Sequence, residues 1–296
     1  MATDRILLTG ATGFLGAALA RHWAGAGRQV HVLVRPTSSL RRLQDVAGAL
    51  VMHVLEGDVD AASVVAQVQP QAIVHTACAY GRAGESPRQI FEANLAFGMS
   101  LLQAALDGDV RTTFLNTGSV LEPDVSLYAL SKRQFSDWGA QVAAREAARL
   151  RFVDLRLQHM YGPGDDPSKF TTHVLRSCVR NDTELKLTAG EQLRDFIYVE
   201  DVVAAYDAVL ARADGLSAHE VIEVGSGSAP SIREFVEIVH RLTRSTTRLD
   251  FGAIPYRANE AMLCRADTAR LLELGWRPRF DLVSGLQETI RKEQLQ

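Results

Sequence analysis

The run Ile6-Leu-Leu-Thr-Gly-Ala-Thr-Gly-Phe-Leu-Gly16 limits what this chain can become more than any other stretch. A short apolar run meets glycines at 10, 13 and 16, then a helix-length segment ending near Gly25. In a strand-turn-helix unit each glycine has its own job. Gly10 permits the tight turn, Gly13 lets a pyrophosphate approach backbone N–H groups, and Gly16 permits close packing of helix on strand. Glycine-rich turns also end strands for purely structural reasons. Here the pattern opens a strand-helix-strand unit, the context a dinucleotide cradle demands, with Thr12, Phe14 and Leu15 filling the remaining positions.

Short β-branched runs at Arg5–Leu8, Val30–Val34, Val51–Leu55, Ala72–His75, Arg111–Leu115 and Phe152–Leu157 alternate with helical patterns. The clearest helices span Gly13–Gly25, Gln89–Ala105 and Tyr128–Arg149. Such alternation predicts an α/β fold, a Rossmann-type doubly wound parallel sheet with crossover helices. After Gly162-Pro-Gly164 the pattern turns irregular, with later elements at Phe196–Val199, from Val202, and at Val221–Val224. The expected organisation is a dinucleotide-binding domain over 1–164, with 196–224 returning to it. A smaller α/β C-terminal substrate lobe takes 165–195 and 225–296.

With 296 residues, 47% of them hydrophobic, the chain can bury a substantial core. Its formal net charge of -3, with basic residues spread rather than clustered, argues against nucleic acid or an anionic membrane as partner. Cys78, Cys178 and Cys264 are odd in number and lack metal-ligand spacing, which implies neither a disulfide framework nor a metal site. A reducing compartment, the cytoplasm, is the expectation. The apolar start at Ile6–Leu8 is broken by glycines and reads as a strand, not a signal peptide, and no stretch is long enough to span a bilayer.

The second strand ends at Val34 and is followed by Arg35-Pro-Thr-Ser-Ser39. An acidic residue here would accept the adenine ribose hydroxyls of NAD, whereas a guanidinium suits a 2′-phosphate. Arg35, with Ser38 as a further donor, therefore favours NADP(H), with NAD(H) possible. After the third strand, Asp58 and Val59 stand where a short side chain could meet the adenine. Tyr128 and Lys132 lie four apart at the start of a helix, so phenol and ammonium share one face. A neighbouring cation stabilises a phenolate and makes tyrosine a usable acid-base group. Just upstream, the strand Thr113–Asn116 ends in Thr117-Gly-Ser119, whose hydroxyls could hold a substrate carbonyl. His75 has no second ligand at metal spacing and reads as a packed residue, and Cys78 as a small buried thiol.

With these residues in place the sequence resembles the extended short-chain dehydrogenase/reductase family, the sugar-nucleotide epimerases, dehydratases and ketoreductases. The likeness covers nearly the whole chain. It includes Val74-His-Thr-Ala77, Asn94, Leu155-Arg-Leu-Gln-His-Met-Tyr-Gly-Pro163, Arg194-Asp-Phe-Ile-Tyr-Val199 with Asp201, and Leu274-Gly-Trp276. The resemblance implies that Thr117 is the catalytic hydroxyl, Ser119 being the alternative occupant, and that Thr76, Ala77 and Asn94 border the cofactor. It also implies that His159 and Met160 line the nicotinamide, and that Arg194 and Arg257 bind a substrate diphosphate.

Family features narrow the reaction. A 4,6-dehydratase would carry Asp-Glu after the catalytic threonine, where Gly118-Ser119 stands. Tyr80-Gly-Arg82, the stretch Gly162 to Phe170 with Lys169, and Leu187 to Gln192 resemble the reductases that make CDP-linked deoxyhexoses such as abequose and paratose. These residues mark Tyr80, Arg82, Ser119, Lys169 and Phe170 as substrate contacts. The leading expectation is NADPH-dependent reduction of a nucleotide-linked 4-keto-6-deoxyhexose. The alternatives are a nucleotide-sugar epimerase, a dihydroflavonol-reductase-like ketoreductase of an aglycone, and an NADP-binding regulatory protein. Relatives commonly dimerise through helices that here span Gln89–Ala105 and Tyr128–Arg149, implying a homodimer.

Overall fold

The computed structural model describes residues 5–56, 60–257 and 260–293. In chain order come β1 (Arg5–Thr9), α1 (Phe14–Gly25), β2 (Gln29–Val34), β3 (Leu50–Val54), α2 (Ala61–Val68), β4 (Ala72–His75), α3 (Pro87–Phe91), α4 (Phe97–Asp107), β5 (Thr112–Ser119), α5 (Leu127–Arg145) and β6 (Leu150–Leu157). Shorter elements follow: β7 (His159–Tyr161), α6 (Phe170–Arg180), β8 (Glu184–Leu187), β9 (Leu193–Arg194), β10 (Phe196–Tyr198) and α7 (Val199–Ala211). The chain then forms β11 (His219–Val224), α8 (Ile232–Thr243), β12 (Arg248–Phe251), β13 (Leu263–Cys264), α9 (Ala269–Glu273) and α10 (Leu282–Glu293).

Among the described residues seven strands form one sheet in the order β11-β6-β5-β4-β1-β2-β3. Pairing is parallel from β3 through to β6. Parallel strands need helices on both faces, so their residues are apolar without alternation. Ile6, Leu7 and Leu8 of β1 and Ala72, Ile73 and Val74 of β4 are accordingly inaccessible to solvent. Each large aliphatic buried this way stabilises the fold by about 1.5–3 kcal/mol. The strand order runs outward in opposite directions from β1 and β4, so the crevice at their carboxyl ends is the switch point where such sheets bind ligands.

The chain divides into two compact units. One runs through Leu157 and takes back Ala205–Ile222; the other comprises Gln158–Ala204 and the chain from Glu223 onward. In the second, β7 pairs with β10, β8 with β12 and β9 with β13, all in parallel. Buried Asp195 ties this unit together by accepting from the backbone of Ser226 (2.7 Å), Gly227 (2.9 Å) and Ala266 (3.2 Å). Trp276 Nε1 donates to Asp201 O at 3.0 Å, and the Phe196 and Phe235 rings stack with centroids 4.3 Å apart.

Two elements differ from expectation. The helix expected over Gln89–Ala105 is interrupted by a π-helical turn at Glu92–Ala96, which rotates Asn94 into the interior. β5 runs on to Ser119, carrying Thr117-Gly-Ser119 as strand rather than loop.

Candidate active site

The turn after β1 has the shape that a dinucleotide pyrophosphate requires. Gly10 sits at φ 68°, and a Cβ there would lie 2.6 Å from both Ala77 N and Thr76 Oγ1. A Cβ at Gly16 would collide with Gly10 O, so helix and turn pack as closely as the sequence implies. Gly13 N donates to Gly10 O at 2.8 Å, and Gly13 begins α1 without a side-chain cap or an acidic first turn. A helix start of this kind favours an anion through its dipole. Thr12 and Phe14 are partly exposed at this turn and Leu15 is buried. Thr76 Oγ1 donates to Thr9 O (2.7 Å) and Ala77 N to Thr9 Oγ1 (3.3 Å), locking the β4 end against the turn.

Arg35 follows β2 and is exposed. Its amide donates to Ser38 Oγ (3.1 Å) and Ser38 N to Arg35 O (2.9 Å), closing a tight turn. The Arg35 guanidinium itself pairs with no described residue. Asp58 and Val59 lie outside the described residues.

Ser126 caps α5, its side chain accepting from Ala129 N at 3.1 Å, and so fixes the start of the helix. Tyr128 falls in the first turn and Lys132 one turn later. The Tyr128 phenol is held above the usual tyrosine range chiefly by burial, with Ser119 and Arg82 pulling it back. Lys132 is 2% exposed, and burial lowers its own pKa. Burial is the dominant influence on the phenol. Tyr80 lies over Tyr128 with ring centroids 4.9 Å apart, and the Arg82 guanidinium sits 5.5 Å from the Tyr80 ring. Cys78 is partly exposed beside both Tyr128 and Lys132.

The two candidate hydroxyls separate. Thr117 Oγ1 shares a 2.7 Å hydrogen bond with the fully buried Tyr206 of α7, while the Ser119 hydroxyl faces the phenol. Asn94, expected at the cofactor, has its amide occupied. Its Oδ1 accepts from Ala79 N (2.6 Å), and its Nδ2 donates to Ala79 O and Ser131 Oγ (both 2.9 Å). It fastens the segment after β4 to the first turn of α5. His75 is buried, with Thr9 Oγ1 2.8 Å from Nδ1, and burial lowers it to about 3. No cluster of metal-ligand side chains exists among the described residues.

In the second unit, His159 is lowered to about 4 by burial, then by the Arg194 and Lys169 charges, which places both cations around it. His159 Nδ1 is buried without a hydrogen-bond partner, and Met160 follows it on β7, paired with Ile197. Neither cation stands alone. Arg194 bonds Glu260 Oε1 at 2.5 Å, and Lys169 Nζ bonds the buried Asp165 at 2.9 Å. Asp195, the simpler partner for Arg194, is engaged elsewhere as described. Arg257 is exposed and pairs with no described residue, and Phe170 packs its ring 5.9 Å from that of Phe235. Glu260, Asp165 and Tyr206 carry no sequence signal that marks them. Asp154, buried under Gly118, does: a carboxylate inside the apolar run Phe152-Val-Asp-Leu.

A glycine turn at a helix start without a side-chain cap, and a buried ammonium with no described side-chain partner, fit a nicotinamide dinucleotide. Known proteins agree. The chain is 30% identical to the CDP-abequose synthase of Salmonella typhimurium, over 98% of each chain. It is 26% identical to the probable GDP-L-fucose synthase 1 of Oryza sativa subsp. japonica, covering 97% of this chain and 91% of that one. The UDP-glucose 4-epimerase of Thermotoga maritima, solved with UDP-glucose, superposes with TM-score 0.84 at 19% identity, over 98% of this chain and 99% of that one, which establishes the shared fold. The profile of the NAD dependent epimerase/dehydratase family matches residues 6–225, spanning both the glycine turn and the Tyr128/Lys132 helix, and the chain is an NAD(P)-dependent enzyme belonging to that family.

Proposed function

We propose that this enzyme reduces the keto group of a nucleotide-linked 4-keto-6-deoxyhexose, with NADPH as the preferred reductant. The observation that carries the reading is the Tyr128 phenol one helical turn from the buried Lys132, faced by Ser119 and overlaid by Tyr80. When bound, the reduced dinucleotide supplies hydride to a carbonyl carbon. Tyr128 gives its proton to the carbonyl oxygen as that oxygen gains charge, yielding the alcohol. Ser119 orients the carbonyl, a role that the engagement of Thr117 with Tyr206 leaves to it. Lys132 stabilises the resulting phenolate and holds the nicotinamide ribose.

Support for the nucleotide comes from the CDP-abequose synthase likeness over the full chain and from the cations of the second unit. Arg194, Lys169 and Arg257 hold the diphosphate, with His159 as a neutral neighbour, while Tyr80 and Arg82 meet the sugar. Arg35, unpaired at the end of β2, takes the 2′-phosphate of NADPH. The enzyme works in the cytoplasm as a homodimer through α4 and α5, and Leu127, Leu130 and Trp138 of α5 are exposed; no helix among the described residues is long and apolar enough to cross a membrane. Light scattering at micromolar concentration tests the dimer, and a mass near 32.4 kDa would contradict it.

The reaction is tested with CDP-, UDP-, GDP- and dTDP-linked 4-keto-6-deoxyhexoses, following NADPH consumption. Turnover of one of them is expected. Reduction of a neutral aromatic ketone with none of the nucleotide sugars consumed would move the assignment to an aglycone ketoreductase.

A further inference from the structure

We propose that Asp154 is a positioning residue for Lys132, a buried counter-charge that holds the ammonium in place and in its charged form. The strand β6 reads Leu-Arg-Phe-Val-Asp-Leu-Arg-Leu, and Asp154 within it is inaccessible to solvent. Burying a carboxylate costs several kcal/mol unless its oxygens are bonded and its charge is balanced. The surroundings are built to receive it. Asn116 on β5, the register partner of Asp154, donates Nδ2 at 2.7 Å, and Arg156 donates Nε at 3.1 Å. Gly118 clears the space, because a Cβ there would collide with Asp154 Oδ1.

Two features direct this carboxylate toward α5. Asn116 Nδ2 also donates to Ser136 Oγ (3.3 Å), and Ser136 Oγ donates to Lys132 O (3.1 Å), so strand, helix turn and carboxylate form one hydrogen-bonded unit. Lys132 is buried on the same helix face, and its Nζ bonds no described residue. Burial lowers the Lys132 pKa, and Cys78 and then Asp154 oppose that lowering, Asp154 being the one of the two held by the strand network. Around Lys132 stand neutral His75 on β4, Cys78 after β4, Tyr128 one turn earlier on α5, and Arg156 behind Asp154 on β6. Asp154 is the carboxylate of that group. Arg156 does not explain it, since a guanidinium with 29% of its side chain exposed reaches water without a buried partner.

The inference rests on Lys132 serving the dinucleotide, as proposed above, but not on which sugar is reduced. NADPH affinity is measured against pH, from nicotinamide fluorescence, for wild type, Asp154→Asn and Arg156→Met. Wild-type affinity falls on the alkaline side as Lys132 loses its proton. Asp154→Asn moves that midpoint down by about one pH unit or more. Arg156→Met, which keeps the carboxylate and removes a cation behind it, does not lower the midpoint. A superimposable Asp154→Asn profile, or an Arg156→Met shift equal to that of Asp154→Asn, overturns the proposal. A second arm needs no ligand: melting of Asp154→Asn, Lys132→Met and the double variant. A counter-charge predicts that Lys132→Met restores part of the stability lost in Asp154→Asn, because no unbalanced ammonium remains. Strict additivity of the two losses contradicts it. A wild type that binds no dinucleotide would sink the proposed function, while the melting arm would still decide the role of Asp154.

Discussion

Two candidate cations of each compact unit are held in opposite ways. In the first, the Arg35 guanidinium and the Lys132 ammonium bond no described residue, and α1 begins at Gly13 without a side-chain cap or an acidic first turn. In the second, Arg194 is bonded to Glu260 and Lys169 to Asp165. The difference separates a region ready for its ligand from one where an incoming anion must exchange with a carboxylate. An arginine freed from a partner regains less than one that was unpaired, because only the difference between the two anions remains. Dinucleotide binding should therefore respond steeply to single charge changes, and substrate binding more gently.

The sharpest way to break this picture is at the phenol. Tyr128→Phe is expected to lower kcat by roughly 100- to 10,000-fold with an unchanged melting temperature. Near-normal turnover would send the search to another acid. Ser119→Ala and Thr117→Val then separate the two hydroxyls. Loss of the group that holds a developing oxyanion costs on the order of 100-fold in kcat, expected for Ser119 alone. Thr117→Val should act mainly on stability, by about 1 kcal/mol through its bond to Tyr206. Equal kinetic losses in both would return the carbonyl to Thr117. Arg35→Asp should weaken NADPH by at least about tenfold while sparing NADH, read by fluorescence titration. A wild type that binds NADH more tightly than NADPH contradicts the reading of Arg35.

What the sequence displays follows the range of the forces involved. The glycine turn, the Tyr128/Lys132 spacing and the parallel strands depend on residues within one or two turns of each other, and period and spacing reveal them. The bond that engages Thr117 depends on Tyr206, 89 residues distant. No local pattern encodes that contact. Glu260 lies 66 residues from Arg194, and only the fold pairs them. The bonds of Asn94 to Ala79 and Ser131 were not legible, because the π-helical turn that carries it is a product of packing. Asp154 went unremarked in the sequence although a carboxylate inside an apolar strand is a signal, and its neighbours Gly118 and Lys132 come from the fold.

The contrast between a ready site and an exchanging one is tested most directly by titrating CDP, UDP, GDP and dTDP into wild type, Arg194→Ala and Glu260→Gln, with NADPH affinity measured in parallel. At least one nucleoside diphosphate should bind wild type below millimolar concentration and about tenfold more weakly to Arg194→Ala. Glu260→Gln, which removes the competing charge, should bind it more tightly, and NADPH affinity should be the same in all three. Failure of every nucleoside diphosphate to bind wild type at millimolar concentration, or tighter binding to Arg194→Ala, would contradict the account.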